Sequence, residues 1–144
     1  MKWLTEAQVQ AAAKKERQEV LACSLEHWNQ LVAATRVELR KAERDGVAFA
    51  SGPCALCEHY SCRSGHCPLC KAGQCCNNRG SVWKGADRAW QKITWDRDNT
   101  KTAWTRWQTA AKVMRDLLQR LYDEGRRAKR PAAAGSKRKP KKKE

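Results

Sequence analysis

The stretch CALCEHYSCRSGHCPLCKAGQCC, residues 54–76, is the most specific feature of the chain and sets the expected fold. It contains two Cys-x-x-Cys pairs, Cys54 with Cys57 and Cys67 with Cys70. A Cys-x-x-Cys turn places two thiolates on one side of a tight loop, and two such turns can supply the four corners of a tetrahedral Zn²⁺ site. Pro68 favours the backbone conformation of the second turn. The sequence therefore predicts one structural Zn²⁺ bound by these four cysteines.

The same stretch offers more ligands than one ion needs. The alternative ligands are Cys62, Cys75, Cys76, His59 and His66. Four-coordinate sites of this kind leave no open position for water or substrate, so the metal is expected to be structural and not catalytic. Disulfides and an iron–sulfur cluster are the competing interpretations. The odd count of seven cysteines in this stretch argues against complete disulfide pairing.

Apolar residues repeat in heptads before this stretch, which predicts one long amphipathic helix over residues 1–45. The two heptad positions are occupied by Leu4, Ala11, Leu25, Val32 and Leu39, and by Ala7, Leu21, Trp28 and Ala42. Thr5 is the predicted N-cap and Asp45 with Gly46 the predicted stop signal. Cys23 and His27 stand alone on this helix. Cys23 is expected to be a small buried side chain, and His27 is expected to be a solvated or packed histidine.

The same periodicity returns after the cysteines and predicts a second long helix over residues 83–125. Its two seam positions are Trp83, Trp90, Trp104, Ala111 and Leu118, and Ala86, Ile93, Trp107, Met114 and Leu121. The polar run 96–102 is a candidate for a kink, and Gly125 is a predicted end point. Tryptophans on the seams are expected in the core, whereas Trp95 lies off the seam and is expected to form a contact surface.

Two helices of similar length joined by a short segment usually return antiparallel. The predicted fold is mostly α: a long antiparallel, coiled-coil-like helical hairpin with residues 46–82 as a small irregular Cys-rich zinc knuckle at its apex. In the simplest register, Leu21 faces Trp104. A two-helix core is thin, so support is expected from the metal or from a homodimer through the helical seam.

The C-terminal segment 126–144 carries ten Lys and Arg residues against Glu144, in a 144-residue chain of net charge +15. Such a segment cannot bury apolar surface, so it is expected to be a disordered tail whose partners are polyanions. The residues predicted to contact nucleic acid or an import receptor are Lys129, Arg130, Lys137, Arg138, Lys139, Lys141, Lys142 and Lys143.

Several classes of protein find no support in the sequence. Residues 1–6 contain no apolar run of a signal peptide, and no segment approaches the roughly 20 apolar residues that span a bilayer. Eight cysteines without a signal indicate a reducing, intracellular compartment. There is no His-Glu-x-x-His motif, phosphate-binding loop or nucleophile elbow, so we do not expect an enzyme.

Two parts of the chain resemble known patterns. The first pattern comprises Cys54-Ala-Leu-Cys57, Cys62, Cys67-Pro-Leu, Gly73, Cys75, Ser81 and Trp83. It resembles small cysteine-rich bacteriophage proteins of unknown function, which implies metal binding and says little about activity. Four residues separate Cys62 from Cys67 where those proteins typically have two, which leaves open whether Cys62 or Cys70 completes the site.

The tail resembles a bipartite nuclear localisation signal of the nucleoplasmin type. Lys129-Arg130 is followed by ten residues, 131–140, and then by Lys141-Lys142-Lys143. Two basic clusters at this spacing fit two acidic grooves of an import receptor. The expected location is the nucleus if the tail acts in this way, and the host cytoplasm or nucleoid if the protein is phage-encoded.

Together these features predict a non-enzymatic zinc-binding accessory protein. It would contact nucleic-acid phosphates through its tail and basic helix faces without reading sequence, with Arg63, Lys71 and Arg79 adding contacts near the knuckle. The alternative is a protein-binding adaptor or inhibitor, such as a phage-encoded antagonist of a host defence nuclease, that docks through its Trp-rich helices. No membrane partner is expected.

Overall fold

A computed structural model describes residues 1–45, 54–61 and 65–130 of the chain. These residues are mostly helical and contain no β-strand. The helices are α1 Glu6–Ala13, α2 Arg17–Ala33, α3 Arg36–Arg44, α4 Ala55–Tyr60, α5 Pro68–Lys71, α6 Val82–Thr94 and α7 Lys101–Lys129. The predicted mostly α class is confirmed. The predicted disordered tail 126–144 is wrong at its start, because residues 126–129 form the last turn of α7. Residues 131–144 of the tail lie outside the described residues.

Helix α7 packs against both α2 and α6, and it is antiparallel to each. Gln18 of α2 donates to the Tyr122 carbonyl at 2.8 Å, and further along α2 the rings of Trp28 and Trp107 lie 6.4 Å apart between centroids. Trp90 of α6 lies 4.9 Å from the Trp107 ring. A three-helix body therefore replaces the predicted two-helix hairpin, and the predicted facing of Leu21 and Trp104 is wrong because Trp28 occupies that level of α7.

The single helix predicted over residues 1–45 is wrong, because the structure divides it into α1, α2 and α3. Thr35 is extended, with ψ of 162°, and caps α3. The Glu38 amide donates to the Thr35 hydroxyl oxygen at 3.2 Å, and the Thr35 amide donates to the Glu38 carboxylate at 2.8 Å. This capping box starts a new helix at a residue that also interrupts the heptad seam.

The predicted ends of this region are correct. Thr5 caps α1 with the same kind of box, formed with Gln8, and Asp45 is the C-cap of α3. Gly46, the second part of the predicted stop signal, lies outside the described residues. The heptad pattern thus located the outer boundaries but not the two internal breaks.

The second predicted helix is also divided, into α6 and α7, with residues 95–100 between them. This break falls within the polar run where a kink was expected, and Thr100 caps α7 by accepting from the Ala103 amide at 3.1 Å. Gly125 is not an end point: it is buried within α7, which continues to Lys129. A Cβ at Gly125 would meet the end of the Gln18 side chain, so an alanine there would require Gln18 of α2 to shift.

The cysteine-rich segment does not stand at an apex beyond the helix ends. Helix α4 packs against α1 and α2, and His59 Nδ1 lies 2.6 Å from the Ala13 carbonyl oxygen. Leu56 and Leu69 are buried at 0% and 2% exposure within the same apolar core as the long helices. The segment therefore forms part of the core, because its own apolar side chains need a surface to cover them.

The tryptophans of the seams pack as predicted. Trp28, Trp90 and Trp107 are 3%, 1% and 0% exposed, while Trp83 and Trp104 are half-buried against the same core. Helices of the same chain cover these tryptophans, and the homodimer through the helical seam stays a prediction. No helix in the described part of the chain is both long and apolar enough to cross a membrane.

Candidate functional site

The first cysteine pair lies against α2. Cys54 is the N-cap of α4 and Cys57 follows within its first turn. The pKa of Cys54 is lowered to about 7, chiefly by the hydrogen bond from the Cys57 thiol, while burial opposes this shift. Cys23 of α2 is close enough that a charge on Cys54, together with the larger effect of burial, raises the pKa of the Cys23 thiol. Cys23 is therefore a half-buried neighbour of this pair, where the sequence predicted a buried side chain that stands alone.

The second pair is built by a tight turn. Cys67 is the buried N-cap of α5, Pro68 occupies the first helical position, and Cys70 lies at the far end of this single turn. Gly73 then adopts φ of +72°, a conformation that glycine takes without strain. The Gln74 amide donates back to the Leu69 carbonyl at 2.8 Å. This reversal returns the chain toward Cys70.

The reversal groups Cys70 with the two cysteines that follow it. The pKa of Cys70 is raised to about 12, first by burial, then by a hydrogen bond with Cys75 and by negative charge on Cys67, Cys75 and Cys76. The pKa of Cys75 is lowered, chiefly by the hydrogen bond from the Cys70 thiol. Four thiols this close repel one another as thiolates, and a bound divalent cation would remove that repulsion.

The structure therefore associates the predicted ligands in two ways. Cys54 lies beside Cys57, whereas Cys67 and Cys70 lie beside Cys75 and Cys76, which the sequence ranked only as alternatives. Within residues 1–45, 54–61 and 65–130, no three His, Cys, Asp or Glu side chains stand in a ready metal-binding arrangement. The four-cysteine set Cys54, Cys57, Cys67 and Cys70 remains a prediction, and so does Zn²⁺ binding.

The remaining alternative ligands differ in their surroundings. His59 is exposed, with its ring 4.4 Å from the Tyr60 ring in an edge contact, and His66 is also exposed. Cys62 lies outside the described residues, as does Arg63. His27, half-buried, contacts the edge of Trp28 at 6.4 Å between centroids, which confirms it as a packed histidine.

The predicted nucleic-acid contacts begin at the end of α7. Arg126, Arg127, Lys129 and Arg130 are all exposed, and Lys129 reaches Glu16 at 3.1 Å. Lys71 and Arg79 are exposed near the cysteines. The other predicted contacts, Lys137, Arg138, Lys139, Lys141, Lys142 and Lys143, lie outside the described residues.

No protein family, curated protein or solved structure matches this chain. The resemblance to cysteine-rich phage proteins thus stays an expectation.

The sequence reasoning missed one basic site, which lies between α3 and the loop that joins α6 to α7. Arg40, Arg44 and Arg97 line a cleft of about 640 Å³ together with Glu43 and Asn99. A signal was present: Arg36, Arg40 and Arg44 recur every four residues, so they share one face of a helix. Arg97 could not be added from the pattern, because its approach depends on how the chain turns after α6.

Proposed function

We propose that this chain is a non-enzymatic, zinc-binding accessory protein that binds nucleic acid through its phosphates. The observation that carries the proposal is the basic end of α7, where four exposed cations lead directly into the tail 131–144. Six of the fourteen residues 131–144 are Lys or Arg, against one acidic residue, Glu144. Such a segment attracts polyanions by releasing their condensed counterions.

The packed core fixes the helix from which this cationic segment extends. Helix α7 is held on both sides by α2 and α6, and its residues Leu118 and Leu121 are buried. The last turn of α7 therefore continues from a packed helix, which fixes where the charge at residues 126–130 begins. Contacts of this kind position a protein on the phosphate backbone and carry no sequence information.

Zinc enters the proposal as a structural ion of the cysteine-rich segment. Cys70 interacts with Cys67, Cys75 and Cys76, and this supports a set of four thiolate donors, which closed structural zinc sites use. No three of the described His, Cys, Asp or Glu side chains already stand in a metal-binding arrangement. Helix α5 and the turn after it would be held by the ion, and with them Leu69, which the core buries. The competing ligand set replaces Cys75 and Cys76 by Cys54 and Cys57.

A protein-binding role is the second candidate, and one observation favours it. Trp95 is 74% exposed, unlike the seam tryptophans, and Val37 is 77% exposed. The seam tryptophans pack into the core, so docking of a partner along the Trp-rich helices as a whole is not supported. Trp95 alone would have to anchor such a partner.

The proposal is tested by measuring affinity for single-stranded and duplex oligonucleotides over a salt series. We expect log affinity to fall linearly with log salt, with a slope of about 0.7 per neutralised phosphate on single strands and about 0.9 on duplex. A chain ending at Arg130 should bind more weakly and with a shallower slope. Affinity that is independent of salt would contradict the proposal.

A scrambled tail is the matched control for this truncation. It keeps the composition of residues 131–144 but destroys the spacing between the basic clusters. Phosphate binding should survive the scramble, because it depends on charge and not on order. Recognition by an import receptor should be lost, because the two clusters would no longer reach both grooves.

A further inference from the structure

The cleft between α3 and the loop 95–100 concentrates positive charge. Three guanidinium groups, those of Arg40, Arg44 and Arg97, line it against one carboxylate, that of Glu43. None of the three arginines forms an ion pair with a carboxylate among the described residues. Burial raises the pKa of Glu43, which shows that this carboxylate is only partly compensated by Arg40. The cleft is therefore complementary to an anion.

The walls of the cleft are fixed to one another. Arg36 of α3 donates to the carbonyl oxygens of Asn99 at 2.7 Å and of Thr100 at 3.1 Å, and it lies 5.2 Å from the centre of the Trp104 ring. Arg40 donates to the Asn99 side chain. Since these bonds join α3 to the loop, the two walls of the cleft and the Arg40 guanidinium are held in place before any ligand arrives, which lowers the entropic cost of binding.

Arg97 occupies an unusual backbone conformation. Its φ is +50°, in the left-handed region that favours glycine and that a long side chain enters only at a cost in stability. The turn closes α6, with the Asp98 amide donating to the Lys92 carbonyl at 3.0 Å. Backbone strain that the fold tolerates is concentrated at functional sites, and here it places a guanidinium on the cleft.

Trp95 adds an aromatic surface to the same loop. It follows Thr94, which lines the cleft, and precedes Arg97 by two residues, and 74% of it is exposed. Tryptophan faces stack on unpaired bases of any sequence, while neighbouring guanidinium groups hold the phosphates between them. A duplex offers no such free base faces along its length.

We propose that this cleft binds a phosphate of single-stranded nucleic acid, with Trp95 stacked on an adjacent base. This inference rests on the proposed function and adds a site in the folded part of the chain, separate from the tail. The volume of about 640 Å³ is in the range of pockets that hold a small-molecule-sized ligand, so one nucleotide unit fits.

The test uses the full chain and a fluorescently labelled oligothymidine. Trp95→Ala should weaken binding by about tenfold, and Trp95→Phe should keep most of it, because stacking needs only an aromatic face. Arg97→Gly should weaken binding and lower the salt slope by about 0.7, as expected for one lost phosphate contact. It should melt no lower than the unmodified protein, because glycine takes the left-handed conformation without strain.

Lys112→Ala is the matched control. Lys112 is exposed on α7, eleven residues after its first residue, Lys101, and so about 16 Å along the helix from the loop. The Lys112→Ala substitution removes one charge outside the cleft, so oligothymidine binding should weaken less than with Arg97→Gly. Equal effects of the two charge removals would overturn the proposal.

The remaining outcomes separate this inference from the proposed function. If the Trp95 and Arg97 variants bind oligothymidine like the unmodified chain while tail truncation abolishes binding, the cleft proposal fails and the proposed function stands. If the full chain binds no nucleic acid, both fail. If Trp95→Ala removes only a protein captured after nuclease treatment and leaves oligothymidine binding intact, the cleft is a protein-docking surface and the proposal is overturned.

Discussion

At the scale of single residues, two helical glycines show how one position can be free and another constrained. Gly85 of α6 has no atom within 4 Å of where a Cβ would stand. Gly125 of α7 is buried against Gln18, whose amide nitrogen is engaged by the Tyr122 carbonyl oxygen at 2.8 Å. Because that hydrogen bond holds Gln18 in place, its side chain cannot simply move aside. The two positions should respond differently to the same substitution.

Gly85→Ala should raise the free energy of unfolding by about 0.5–1 kcal/mol, because alanine lowers the entropy of the unfolded chain and favours helix. Gly125→Ala should give a smaller gain or a loss, since the new methyl group meets Gln18. In a Gln18→Ala background, Gly125→Ala should recover the gain seen at Gly85. Denaturant unfolding measures all four variants, and equal gains at both glycines in the unmodified background would contradict this account.

At the scale of elements, the structure is determined by where helices begin as much as by the apolar seams. Seam positions such as Leu25, Leu118 and Met114 are buried as the heptads predicted. The break before α3 was not predicted, because a capping threonine and a threonine that interrupts the seam look the same in the sequence. Thr35 interrupts the apolar seam of the predicted long helix, and the hydrogen bond that its hydroxyl accepts from the Glu38 amide makes it a helix start.

Thr100 performs the corresponding role for α7. Its hydroxyl accepts from the Ala103 amide and donates to Asp98 at 2.6 Å. Thr100→Ala should therefore lower the free energy of unfolding by about 1 kcal/mol through loss of the cap. Thr109→Ala, at an exposed position inside the same helix, is the control and should be neutral or slightly stabilising. Equal losses at both positions would show that the cap contributes nothing.

The same hydrogen bonds give a pH signature. The Thr100 hydroxyl and then its amide hold the pKa of Asp98 below the ordinary 3.8. The folded-state pKa is lowered, so this interaction stabilises the fold above that ordinary value and is lost as pH falls through the depressed pKa. Thr100→Ala should raise the Asp98 pKa part of the way back, because the amide still donates. A carboxyl titration by NMR measures the shift, and an unchanged pKa would contradict the assigned cause.

At the scale of the whole molecule, the cysteine-rich segment and the helices share one core. The sequence predicted a separate knuckle because its cysteines are clustered in the chain, but Leu56 and Leu69 join the apolar cluster around α2 and α7. Spacing alone favoured Cys54 and Cys57 as partners of Cys67 and Cys70. The turn at Gly73, which no spacing rule describes, instead returns the chain so that Cys75 and Cys76 lie near Cys70.

Because the cysteine-rich segment shares the core with the long helices, metal removal should affect the two parts of the molecule differently. The antiparallel packing of α2, α6 and α7 buries large side chains such as Trp107 without any cysteine ligand. Chelation should therefore loosen residues 54–61 and 65–76 before the three long helices unfold. Hydrogen exchange should show protection lost first in that segment, since its single-turn and two-turn helices have little stability of their own.

Zinc binding by the cysteine-rich segment is tested by elemental analysis of the purified protein, together with thermal melting before and after chelation. We expect about one Zn²⁺ per chain, as a single four-thiolate site requires, and a lower melting temperature once the ion is removed. Cys75→Ser should lose zinc and Cys23→Ser should retain it. If Cys57→Ser loses zinc and Cys75→Ser does not, the ion is held by the set that the spacing favoured. A metal-free protein that melts at the same temperature with and without chelator would contradict zinc binding by the cysteine-rich segment.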